Sequence, residues 1–447
     1  MLRSSGERTG VIRQRPNRDG RRSRLGRSEF REGAGMSVAF RFLHVSDLHL
    51  GEPIVGVREP NEALREQLLS APYAAAETAF DVAVREQVDF VLLTGNALDL
   101  HQPSPKPLSF LQKQFRRLKT EGIEVYWCSG ATDPLERWPR ALELPESVTT
   151  FATPGIEVVK IQNDKGALCT LLAAGNAPSV GGEDQPTIRA IDFRAISDTG
   201  FVIGAVHGRI DLDTLDELPC HYWALGGRSQ RKAVSKGNRL AVYAGTCQSR
   251  SSRHLGACGA NLVSVDPNRS LHSKEVACDR LRFLRQTLDA DSGKIERLKE
   301  LFSERMLQLA SDEEQLWTVV DWTVTTESSG PGGFPTESQQ QALIGWMRKE
   351  FAGRNSGVWC NRIDVQVRAD RIAKGVLEED SILGDFLRSL PEWEQDTTRE
   401  LDLSGFRRLS TELQGAGIAE RLDAFDRAEL LGRVRRAGIE LLGGSGG

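Results

Sequence analysis

Residues 40–51 read Phe-Arg-Phe-Leu-His-Val-Ser-Asp-Leu-His-Leu-Gly. The alternating apolar residues read as a buried strand, and the end of that strand delivers Asp47 and His49 side by side. A carboxylate and an imidazole two positions apart, just past a strand terminus, suit a divalent metal. In an open α/β sheet they point into the crevice at the carboxyl ends of the strands, where ligands bind. The same residues also suit a polar turn after a core strand, so the weight falls on whether other strands end the same way.

They do. From Val38 the chain alternates strands and helices as a doubly wound α/β domain does. An Ala-rich helical region spans 61–87, and the strand Val88–Thr94 ends in Gly95-Asn96-Ala97-Leu98-Asp99. Leu108, Leu111, Phe115 and Leu118 recur at helical spacing, and Gly122 closes that helix. Ile123–Cys128 is a third strand, ending in Ser129-Gly130-Ala131-Thr132-Asp133-Pro134. Further strands are read at Ala167–Ala173, at Phe201–Val206 ending in His207-Gly208, at His221–Leu225 ending in Gly226-Gly227-Arg228-Ser229, at Leu240–Ala244 and at Asn261–Val265.

At 447 residues, 39% apolar and 27% charged, the chain has the composition of a soluble globular protein of two or three domains. No stretch approaches the roughly 20 apolar residues of a membrane span, so no membrane partner is expected. Residues 1–35 carry ten Arg against Glu7, Asp19, Glu29 and Glu32, a local charge of +6, which leaves about −10 on the rest. With almost no apolar periodicity, residues 1–37 are expected to be a disordered basic extension, either an arm for nucleic-acid phosphates or a segment upstream of a start at Met36. Seven scattered Cys without a CxxC spacing fit a reducing, cytoplasmic compartment.

Taken in order, SDLHLG, DFVLLTGNALD, VYWCSGATDP, GAVHG, HYWALGGRSQ and VYAGTCQSR resemble the calcineurin-like metallophosphoesterases, most of all the DNA-repair nuclease branch of SbcD type that accompanies an SMC-like ATPase. The resemblance covers residues 38–280. It implies a metallophosphoesterase sandwich of mixed β-sheets flanked by helices, and metal-dependent phosphodiester hydrolysis with Mn²⁺ as the family's ion. It also implies roles: Asp47, His49, Asn96 and His207 at metal positions, Thr132 where the family has its catalytic His, and Asp133 retained beside it. Asp133 before Pro134 also reads as a helix cap. Arg250, Arg253 and His254 lie where the branch has a basic, His-containing loop, and are expected either to form a solvated loop or to meet a phosphate. His101 is the one further His placed to substitute as a ligand, while His44, His221 and His272 read as core or surface side chains.

The departures bear on activity. The family's bridging Asp is Asn96 here, an Asn ligand is Ala131, and two His ligands are Gly227 and Ser229. Two cations about 3.5–4 Å apart need an anion between them, and an amide oxygen carries no charge. At most one ion is therefore expected. Loss of the His at 132 removes a general acid worth about 10²–10⁴-fold, and a threonine hydroxyl does not replace it.

Beyond Arg280 the texture resembles the branch's small α+β capping domain, 281–370, with strands at Leu281–Leu288, Leu316–Thr326 and Val358–Val367 and helices at Ile295–Leu309 and from Thr336, where Gln339 completes a capping box. Residues 371–447 read as a helical C-terminal segment, with Ile418, Leu422 and Phe425 on one stripe. That stripe either closes its own core or docks an SMC-like ATPase. No P-loop is present, so ATP hydrolysis would belong to another subunit. Two functions are expected: a DNA-repair-type phosphodiesterase with weakened or lost catalysis, or a non-catalytic scaffold that binds DNA or the ATPase.

Overall fold

The computed structural model describes residues 12–14, 38–100, 104–139, 142–151, 157–175, 200–208, 220–290, 294–310, 316–326, 337–353, 357–367 and 380–395, with single positions at 378, 431, 434 and 438. His101, the capping-box Thr336 and the stripe Ile418, Leu422 and Phe425 lie outside the described residues.

Two sheets carry the first compact unit. One has six strands in the order β13 (Leu271–Ala277), β12 (Gly259–Val265), β2 (Phe40–Ser46), β3 (Phe90–Gly95), β4 (Glu124–Ser129), β5 (Val148–Phe151). The strands β2 to β5 run parallel, and β12 and β13 are antiparallel. The other has seven, β1 (Ile12–Gln14), β6 (Glu157–Asn163), β7 (Gly166–Ala174), β8 (Phe201–His207), β9 (Tyr222–Gly226), β11 (Arg239–Tyr243), β10 (Lys232–Lys236), parallel from β7 through β11. Two helices, α1 (Glu62–Arg85) and α2 (Pro105–Thr120), connect β2 to β3 and β3 to β4. Asn61 caps α1 by accepting the Leu64 N–H at 2.8 Å.

The period-2 pattern of β2 divides its side chains between two cores. Phe40 and Phe42 join Phe90, Leu92 and Tyr126 in the layer between the sheets, against Phe201, Ile203 and Tyr222 of the second sheet. Leu43 and Val45 turn the other way, onto Ala76, Ala79 and Phe80 of α1 and Phe115 of α2. Phe42 and Phe90 stack with ring centroids 5.1 Å apart, and Tyr222 meets Phe42 edge-on at 5.2 Å. Each such ring contributes about 1.5–3 kcal/mol by leaving water. This packing fixes which way every strand end faces, because a one-residue slip would exchange the two layers.

The sandwich of mixed sheets flanked by helices is the architecture the sequence implies. The strands absent from the reading, β5, β6, β10 and β13, are mostly edge strands whose polar faces carry no clean alternation. Within the extension expected to be disordered, Ile12–Gln14 is a strand paired antiparallel with Val158–Lys160. Edge pairing uses main-chain groups alone and so needs none of the apolar periodicity on which that expectation rested.

A third sheet, in the order β14 (Leu281–Ala290), β15 (Trp317–Thr326), β16 (Gly357–Val367), accompanies α3 (Ile295–Leu309), α4 (Glu337–Phe351) and α5 (Ile382–Gln395). Residues 1–285, 309–321 and 351–361 form one compact unit, and 286–308, 322–350 and 362–447 form another. In the first, Trp317, Val319 and Trp359 pack with Leu64, Ala71 and Phe283. In the second, Phe302 of α3 meets Trp322 edge-on at 5.1 Å.

Beneath the end of β2 lies His44, fully buried, with Nδ1 3.0 Å from the Tyr222 hydroxyl and Nε2 2.9 Å from Thr94 Oγ1. Burial pushes its pKa down from 6.5 to about 3, with the Asp47 charge opposing. The folded value is depressed, so its contribution to stability is complete above pH 6.5 and is lost as pH falls toward 3, at up to about 1.4 kcal/mol per pH unit. In His44→Gln, the pH dependence of stability measured by chemical denaturation between about pH 6 and 4 should flatten by about that slope. An unchanged slope would show that His44 is not held neutral.

Candidate functional site

The ends of β2, β3, β8 and β9 converge on Asp47, and the end of β4 meets that of β3. Asp47 and His49 both adopt left-handed backbone, φ +48 in each case, which is costly for residues other than glycine. Backbone bonds hold them there: Asp47 N–H donates to Thr94 O at 3.1 Å, and His49 N–H to Asn96 O at 2.8 Å. One residue on, Leu50 bridges Leu98, so the β2 and β3 loops run side by side.

The Asp47 carboxylate is almost wholly buried and is surrounded by donors. Oδ1 accepts the Asn96 N–H at 3.1 Å and lies 3.6 Å from His207 Nε2. Oδ2 accepts the Gly227 N–H at 2.7 Å and the Ser46 hydroxyl. Burial alone would raise its pKa. The adjacent His207 and His49 imidazoles and the Ser46 hydroxyl outweigh that, and the net pKa is lowered, so the group is ionised. Gly95, at φ +93, is what lets this happen: a Cβ there would stand 2.3 Å from Asp47 Oδ1 and 2.8 Å from the His207 ring.

Three of the four expected metal positions are thus gathered, and each is engaged within the protein. His207 faces Asp47. His49 Nδ1 is 2.6 Å from Glu52 Oε1, a partner of the kind that orients a ligating imidazole. Asn96 is placed differently: its Oδ1 accepts the Thr132 N–H at 2.9 Å and sits where a Cβ on Gly130 would reach to 2.1 Å. The Thr132 hydroxyl donates to Leu98 O at 2.7 Å. Both side chains therefore tie the β3 loop to the β4 loop.

Asp133 does the same work with charge, and the cap reading is corrected. The short 3₁₀ turn that follows, Leu135–Arg137, has no side-chain cap. Instead Asp133 Oδ1 accepts the Gly130 N–H at 2.6 Å, and Oδ2 accepts those of Ala97 at 2.7 Å and Leu98 at 3.1 Å. Burial pushes its pKa up to about 6, and those three N–H groups oppose the rise.

The loop expected to meet a phosphate divides. Arg250 is corrected: it is buried, and its Nη2 donates to the Glu52 carbonyl, so it braces the loop that carries His49. Burial pulls its pKa down against the opposing Glu52 charge. Arg253 is exposed. His254 is partly buried, and its pKa is lowered by burial and then by the charges of His49, Arg250 and Arg253. The sequence reading missed Glu52, Ser46 and the Gly227 N–H; the nearest signal was Glu52 three residues past His49.

Chemically, this is a buried carboxylate with a His on either side. Among the described residues, no group of three or more His, Cys, Asp or Glu is arranged to hold a metal ion. At the positions where the resemblance implies further ligands to two cations, Asn96 is a neutral amide bonded to Thr132 N–H, and Ala131 and Gly227 bring no side-chain donor.

Asp133→Ala would leave three backbone N–H groups without their acceptor, at about 1–3 kcal/mol each if none relaxes. The expected loss of stability is about 3 kcal/mol, read as a lowered thermal midpoint. A loss below about 0.5 kcal/mol, the size of an ordinary surface substitution, would contradict the bridging role.

Residues 40–217 match the family model described as calcineurin-like phosphoesterase. An uncharacterized metallophosphoesterase of Bacillus subtilis, YhaO, is 30% identical over 242 residues, 52% of this chain and 58% of that protein. The DNA double-strand break repair protein Mre11 of Sulfurisphaera tokodaii is 32% identical over 93 residues, 21% of this chain and 22% of that protein. The chain thus spans between about a fifth and three fifths of these relatives. Among solved structures, TT1561 of Thermus thermophilus aligns over 53% of this chain and 99% of its own, with a TM-score of 0.33 and 14% identity. No helix among the described residues is long and apolar enough to cross a membrane. By motif order and by family model together, residues 40–217 are similar to the calcineurin-like phosphoesterases.

Proposed function

We propose that the protein is a phosphoesterase-type protein of the DNA-repair nuclease branch whose metal-dependent phosphodiester hydrolysis is weakened or lost. One observation carries this reading: both oxygens of Asp47 and the Asn96 amide oxygen are taken up by hydrogen bonds within the protein. Any divalent ion, Mn²⁺ in the family, would be held by Asp47, His49, Asn96 and His207, and would supply Lewis acidity and a hydroxide nucleophile. Of the chain's own groups, Asp47 would anchor the ion as an anion, and Glu52 would hold His49 with Nε2 outward. Position 132 offers no proton donor for a leaving alkoxide.

The same observation favours a second reading, a scaffold that keeps the fold to bind DNA or an SMC-like ATPase, the latter through the C-terminal helices. The partial similarity to Mre11 supports the DNA-repair branch for either.

Hydrolysis of a generic phosphodiester with Mn²⁺ separates the two from an ordinary enzyme. The unmodified protein should be slow or inactive, and Asn96→Asp, Ala131→Asn, Thr132→His, Gly227→His and Ser229→His together should raise the rate. Gly227 lies at φ +96, so its histidine carries backbone strain. Turnover of the unmodified protein at about 1–10³ per second, the usual enzyme range, would overturn the proposal.

A further inference from the structure

Residues 51–60 join β2 to α1 and form neither a helix nor an extended strand, so their main-chain N–H and C=O groups need partners from elsewhere in the fold. Some come from the loop at 250–252. Val55 N–H donates to Arg250 O at 2.9 Å, Val55 bridges Ser251, and Arg250 Nη2 donates to Glu52 O. The others are side chains of β16. Asn361 Oδ1 accepts the Arg58 N–H at 2.7 Å, Asn361 Nδ2 donates to Gly56 O at 3.0 Å, and Trp359 Nε1 donates to Arg58 O at 3.1 Å. Asn361 thus serves the loop as a neighbouring strand would, with one acceptor and one donor for residues two apart. All of these residues belong to the first compact unit.

Asn361 is itself aimed. Its Nδ2 also donates to Asp321 Oδ1 at 2.7 Å, and both side chains are buried. An ionised carboxylate only accepts, so the amide nitrogen faces Asp321 and the amide oxygen is left for Arg58. Asp321 shares a face of β15 with Trp317 and Val319, and Asn361 shares a face of β16 with Trp359. Those apolar residues also pack against Ile54 and Val57 of the loop. Placing an amide and a carboxylate in such surroundings costs free energy that an apolar pair would not, and a satisfied polar network gives one defined path for the loop in return. The loop needs that support. His49 at its start and Glu59 near its end take left-handed φ of +48 and +45, conformations that persist only where the surroundings fix them.

We infer that Asn361, together with Trp359, is a positioning residue for His49. The third-sheet side chains set the path of residues 51–60, that path places Glu52, and Glu52 Oε1, 2.6 Å from His49 Nδ1, sets the imidazole. The bearing of this on ion binding rests on the proposed reading of His49 as a metal position, whereas the positioning itself does not.

The test is NMR of protein carrying ¹⁵N-labelled histidine, at one pH and in EDTA, so that neither metal nor turnover enters and failure of the hydrolysis experiment does not bear on it. The His49 ring signals are identified by their loss in His49→Gln, and Glu52→Ala gives their position once the imidazole is released. Asn361→Ala should move them most of the way to that position and leave the signals of His44, buried beneath the end of β2, in place. Trp359→Phe, which removes the donor to Arg58 O and keeps a ring in the apolar cluster, should move them part of the way. His49 signals that stay where they are in a folded Asn361→Ala protein would overturn the inference. If the His44 signals move as well, Asn361→Ala has unfolded and Trp359→Phe decides: a His49 shift toward the released position with His44 in place supports the inference, and no shift overturns it.

Discussion

The Asp47 carboxylate is the constraint on which the candidate site depends. It is a buried anion at the end of β2, and such a charge is tolerated only where donors surround it. The donors come from the β3 loop through Asn96 N–H, from the β9 loop through Gly227 N–H and from Ser46, and His207 at the end of β8 stands 3.6 Å from Oδ1. Neutralising one charge therefore draws together strand ends from both sheets. Gly95 and Gly130 are the positions where bare backbone makes the approach possible, since a Cβ at either would overlap the groups that meet there.

Around that anion, bonds within the protein tie the neighbouring loops together. A bridging Asp would repel Asp47 unless cations lay between them, whereas Asn96 does not, and its amide oxygen is free to accept the Thr132 N–H. Thr132 and Asp133 then close the β4 loop onto the β3 loop. Asn96 and Thr132 thus each hydrogen-bond a neighbouring loop. The left-handed backbone at Asp47 and His49 remains as strain that these bonds hold in place.

The sandwich was legible because burial on two faces leaves a trace in the chain. Phe40, Phe42 and Val45 in β2, and the runs in β3 and β4, are apolar for reasons that act locally. The same logic hid β10 and β13, whose Lys232, Lys236, His272 and Lys274 suit solvent-facing edges. Within the site, motif order is what singles out Asp47, His49 and His207. Asp133 was misread because the local signal, Asp before Pro, points to a cap, while its partners Ala97 and Leu98 lie some 36 residues away and leave no periodicity. Arg250 was misread for a related reason: a basic loop looks solvated in sequence, and only the fold shows its guanidinium turned onto Glu52.

The most direct test of the account is the number of divalent ions bound per chain, counted by equilibrium dialysis against Mn²⁺. With Asp47 and Asn96 already bonded within the protein, no more than one weakly held ion is predicted. Two ions per chain at stoichiometric Mn²⁺ would contradict it.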